Sequence, residues 1–125
     1  MKSQDKSKDH PIYEYDDAAK FIREHSGETE EAVQQFLESH VWYLTHRGKV
    51  TPGAKTDNVD VWTDSYPIDS ENLLAARNFI VNRSRLDPII VSQCLAEEVG
   101  YCASIGLVHP EAYTFAKDWA KRGTA

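Results

Sequence analysis

Apolar residues recur at intervals of three and four from Val33 to Leu44 and again from Val91 to Cys102, the spacing of one face of an α-helix. In the first run Val33, Leu37, Val41, Leu44 and Gly48 share a side, flanked by Phe36, His40, Tyr43 and Arg47. In the second, Val91, Leu95, Val99, Cys102 and Gly106 repeat the pattern, flanked by Cys94, Glu98, Tyr101 and Ile105. The phase is kept across Gly100, which predicts an unbroken helix there. Thr29 and Asp87 are good N-caps, Pro88 suits a first helical position, and Gly48 and Gly106 stand where helices end in a left-handed residue. These signals predict long helices over 29–47 and 87–105. Shorter helices are predicted over 16–26 and 70–84, and a third pair over 51–58 and 109–122.

The two long helices belong to a longer repeat. Shifted by 58, residues 18–60 align with 76–118 without a gap, and 15 of 43 positions are identical. The matches include Ala18/Ala76, Phe21/Phe79, Ile22/Ile80, Ser26/Ser84, Val33/Val91, Leu37/Leu95, Tyr43/Tyr101, Gly48/Gly106 and Pro52/Pro110. Chance would give about three under ordinary residue usage. Similarity at a fixed period marks duplicated structural units. The expected fold is therefore all-α: a pseudo-two-fold helical bundle of two tandem three-helix units in one domain. Residues 1–11 read as a disordered arm, 12–69 as unit one and 70–125 as unit two. The third helix of unit one is degraded by Gly53, Thr56, Asp57, Asn58 and Val59, all poor helix formers. Five substantial helices and a short sixth are expected.

One polar position interrupts the apolar stripe: His40 in the first unit and, equivalently, Glu98 in the second. Packed about a pseudo-two-fold axis, these two residues would approach each other as a buried hydrogen-bonded pair, which would hold a proton on His40. The competing expectation is that each bonds separately to a tyrosine or to backbone. Trp42 points away from the stripe, and its counterpart is Gly100. It reads either as covered by neighbouring chain or as a partner-binding anchor.

Composition is that of an ordinary globular chain: 125 residues, 41% apolar and 27% charged, with a net charge of −6. The charge is uneven. Residues 12–69 carry five basic and twelve acidic groups, whereas 70–125 carry six of each. Phosphate neutralisation supplies most nucleic-acid affinity, so an acidic half disfavours nucleic acid and favours a protein partner with a basic surface. The acidic, aromatic stretch 55–69 supplies Asp60, Trp62, Asp64 and Tyr66 as candidate contacts beside Trp42. No apolar run is long enough for a bilayer span, so no membrane partner is expected. Cys94 and Cys102 are eight apart on one predicted helix, too far for a disulfide. Unpaired thiols and the lack of an apolar leader place the expected location in the cytoplasm.

Catalytic motifs are missing. No HExxH, Cys–His ligand spacing, EF-hand loop, P-loop or GxSxG occurs. No catalytic residue, metal or cofactor is therefore expected. The reading that follows is a small cytoplasmic interaction or regulatory module. A first alternative is a DNA-associated regulator using unit two, where LAEEVG resembles the start of a helix-turn-helix but the surface from Glu111 to Asp118 lacks base-reading Arg and Asn. A second is a small enzyme with a buried site at His40, Glu98, Tyr43 and Tyr101.

Overall fold

Three of the helices begin where a side chain serves a free backbone N–H group. Thr29 Oγ1 accepts from the Ala32 N–H at 3.1 Å, Asp69 Oδ1 from Asn72 at 2.8 Å, and Asp87 Oδ1 from Ile89 at 2.7 Å. In a computed structural model of the chain, which describes residues 14–46 and 68–122, five helices follow. They are α1 (Tyr15–Ser26), α2 (Glu30–His46), α3 (Ser70–Ser84), α4 (Pro88–Ser104) and α5 (Pro110–Arg122). No strand occurs among the described residues. The helix expected at 51–58 lies outside them, as does the arm 1–11. Helix α4 runs through Gly100 without a break and closes at Gly106, φ 88°.

The turns α1–α2 and α3–α4 are built alike. Gly27 and Arg85 both adopt the left-handed conformation, φ 77° and 66°. Their N–H groups donate to Arg23 and Val81 carbonyls at 3.0 and 2.9 Å. Two residues after each helix end, the N–H of Glu28 or Leu86 donates to Ser26 or Ser84 Oγ, at 3.2 Å in both cases. Both α2 and α4 have 17 residues, with bounds offset by 58.

The core gathers Ala18 and Ile22 of α1, Val33, Phe36, Leu37 and Leu44 of α2, and Leu73, Ala76 and Ile80 of α3. From α4 come Val91, Cys94, Leu95, Val99 and Cys102, and from α5 Ala116 and Trp119. The pairing of helices is crossed. Helix α1 lies more against α4 than against its own neighbour α2, and α3 more against α2 than against α4. The two hairpins thus interlock, and α5 closes over α4. Val41, placed by the periodicity on the apolar stripe, is only half-buried, whereas Val99 is sealed. Beside Val99, Gly100 meets the Tyr113 ring of α5.

Candidate functional site

The middles of α2 and α4 bring two ionisable side chains together inside the core. His40 and Glu98 are each 1% exposed, and His40 Nδ1 lies 2.7 Å from Glu98 Oε1. That separation puts the imidazole and the carboxylate in direct contact. Removing a charge from water costs several kcal/mol unless a partner compensates, so each residue accounts for the burial of the other. Both also make further interactions with the surrounding protein.

Aromatic rings frame the histidine. Phe36 and Tyr43, four residues before and three after on the same helix, place their centroids 5.8 and 6.4 Å from the imidazole. Phe79 of α3 closes on Tyr43 at 5.2 Å. One thiol and two phenols of the core are held neutral. Burial pushes the Cys94 thiol up to about 12, with Glu28, Glu98 and Glu97 adding to the shift. A thiol held protonated is a poor nucleophile. Burial likewise raises Tyr15, helped by Glu38, Asp16 and Glu98. It raises Tyr101 too, against the opposing effect of the Glu14 N–H that donates to its hydroxyl at 3.1 Å. The four residues of the enzyme reading therefore share one core region, with His40 and Glu98 in contact and all four side chains buried.

A second feature lies on the outside of α2. Trp42 is 49% exposed, and the Arg83 guanidinium sits 5.0 Å from its ring centroid. Arg83 also donates to Ser39 Oγ at 3.4 Å, one turn away. At the corresponding place on α4, Tyr113 lies against Gly100. A β-carbon on Gly100 would come within 2.6 Å of that ring. The Tyr113 hydroxyl donates to Glu97 Oε1 at 2.6 Å, and Lys117 Nζ stands 4.9 Å from the ring centroid. Burial and the Glu97 carboxylate both push the Tyr113 phenol above its ordinary range.

No family model, characterised protein or solved structure matches this chain. Its own residues are therefore the whole basis for a functional reading. Among the described residues no three His, Cys, Asp or Glu side chains group as a metal site, and no helix is long and apolar enough to cross a membrane. Asp60, Trp62, Asp64 and Tyr66 lie outside the described residues. The LAEEVG segment sits within α4, so no helix-turn-helix turn forms at Gly100. The Arg83–Trp42 and Tyr113–Gly100 contacts were missed in the sequence. The one available clue was the pairing of Trp42 with Gly100 in the repeat.

Proposed function

We propose that this chain is a non-catalytic protein-interaction module, built from two copies of one helical hairpin, whose contact surface is the outer face of α2 centred on Trp42. The observation that carries the surface is the half-exposed Trp42, lying under Arg83 where the equivalent Gly100 is closed by α5. Large aromatic side chains with a flat exposed face supply much of the energy of protein interfaces. Glu31, Gln34 and Glu38 precede Trp42 at helical spacing and are exposed, so the partner is a protein with a basic surface.

Support for duplication comes from the bounds of the long helices and the turn bonds, offset by 58, and from the crossed packing, in which each short helix serves the other hairpin. Support for a non-catalytic role comes from the sealed His40 and Glu98, which a substrate would reach only through opening of the core. The buried free thiols Cys94 and Cys102 fit a reducing cytoplasm.

Affinity purification of the tagged chain from its native cells tests this reading. A partner held by wild type and by Ile89→Ala, an exposed residue elsewhere, should be lost with Trp42→Ala and weakened by Glu31→Lys/Glu38→Lys. Equal capture by all four chains would reject the surface.

A further inference from the structure

Two residues at equivalent positions of a repeat touch each other only if they straddle the axis that relates the copies. His40 and Glu98 are such a pair, offset by 58 and 2.7 Å apart. Elsewhere, the residues that face each other across the hairpins come from different positions of the repeat, as Tyr43 and Phe79 do. The apolar positions at the centre are the same or similar in both halves: Val33/Val91, Leu37/Leu95 and Tyr43/Tyr101. By apolar pattern alone, a hairpin would pair as readily with its own kind in a second chain as with its sister in the same chain. The axial residue breaks that equality.

We infer that the His40–Glu98 contact is the element that makes the two hairpins pair with each other and prevents like-with-like pairing between copies of this chain. This rests on the duplication reading above. Two first hairpins brought together would set His40 against the same histidine of a second copy. Two second hairpins would bury a pair of Glu98 carboxylates against each other. Like ionisable groups forced together in a core cost far more than an opposite pair, and buried polar residues fix register and partner in other helical assemblies by this means. The sister pairing alone gives each group a complementary partner. Neither Glu38 nor the nearby thiol and phenols supply the same code. Glu38 is exposed, and the thiol and phenols are held neutral.

The test replaces the pair in the full chain by groups that cannot tell like from unlike: His40→Leu/Glu98→Leu. Each chain is refolded from urea at high concentration, and mass is read by light scattering. A nitroxide on Gln35→Cys, an exposed position of α2, reports the distance between chains. The Gln35→Cys/Gln93→Cys chain gives the reference distance between the equivalent positions within one molecule. Wild type should remain monomeric. The apolar variant should raise the dimer-to-monomer ratio about tenfold or more, each factor of ten being ~1.4 kcal/mol of lost penalty, with a Gln35–Gln35 distance equal to the reference. A variant as monomeric as wild type overturns the inference, as does a dimer with another distance or a wild type already paired like with like. If the apolar variant does not fold, His40→Gln/Glu98→Gln is read in the same way. The exchanged chain, His40→Glu/Glu98→His, separates the two readings. If it folds as a monomer the duplication stands whatever the dimer result, and if it unfolds while the apolar variant folds, the duplication fails and the inference with it.

Discussion

The hairpins α1–α2 and α3–α4 share the bounds of their long helices, turn bonds and core positions, yet only the second is covered by a further described helix. The divergence is confined to one side of the long helices. On α4 that side carries Ser92, Ala96, Val99 and Gly100, all buried. On α2 the same positions are Gln34, Glu38, Val41 and Trp42, of which three are exposed and one is half-buried. Small residues let α5 approach α4 closely, whereas polar residues and a tryptophan keep the α2 face suited to water or to a partner. The inward sides remain alike because each must fill the same core. The two hairpins thus keep alike what packing requires, and they differ where one is covered by α5 and the other is not covered by a described helix.

The largest effect is expected at the one place where the hairpins must differ to fit. Glu98→Leu leaves His40 buried without its carboxylate and should cost about 3–5 kcal/mol in urea unfolding. A loss below ~1 kcal/mol would mean that the contact contributes little.

Alkaline pH acts on the second hairpin through Cys94, which stands where α2 carries Phe36. Its thiol is raised from 9.0 to about 12 in the folded chain. Between these values the unfolded chain has released a proton that the folded chain keeps. Stability is therefore complete below pH 9 and falls as pH rises. The loss from Cys94 should reach roughly 2 kcal/mol near pH ~10.5. Urea midpoints for wild type and Cys94→Ala should converge in slope if another group is responsible.

Equivalent positions under different cover should respond differently. Gly100→Ala drives a β-carbon into the Tyr113 ring, and it should cost about 1–2 kcal/mol despite the gain in helix propensity. In a Tyr113→Ala background the same change should stabilise. Trp42→Ala should cost less than ~1 kcal/mol, since its ring is half-exposed and its Arg83 contact lies at the surface. Smallest of all is the turn. Arg85 adopts a conformation that its counterpart Gly27 takes freely, so Arg85→Gly should raise stability by up to ~1 kcal/mol, and Gly27→Ala should lower it by a similar amount.

Helix ends were legible in the sequence because caps and glycines mark them locally: Thr29, Asp87 and Gly106 all act as their chemistry suggests. The His40–Glu98 position was legible because polar residues on an apolar stripe stand out, and the repeat set them opposite each other. The crossed packing of α1 on α4 was not, because periodicity tells which side of a helix is buried but not what buries it. Arg83 over Trp42 and Tyr113 against Gly100 escaped for the same reason, each joining residues of different helices. Asp60, Trp62, Asp64 and Tyr66 fall outside the described residues, and the candidate surface now rests on Trp42.

The most direct measurement is the urea stability of the exchanged chain, His40→Glu/Glu98→His, set against its two single variants. Two hairpins related by an axis through this contact should accept the exchange, so the double variant should recover most of the ~3–5 kcal/mol lost by each single change. A double variant whose loss equals the sum of the single losses would contradict the axis and the duplication built on it.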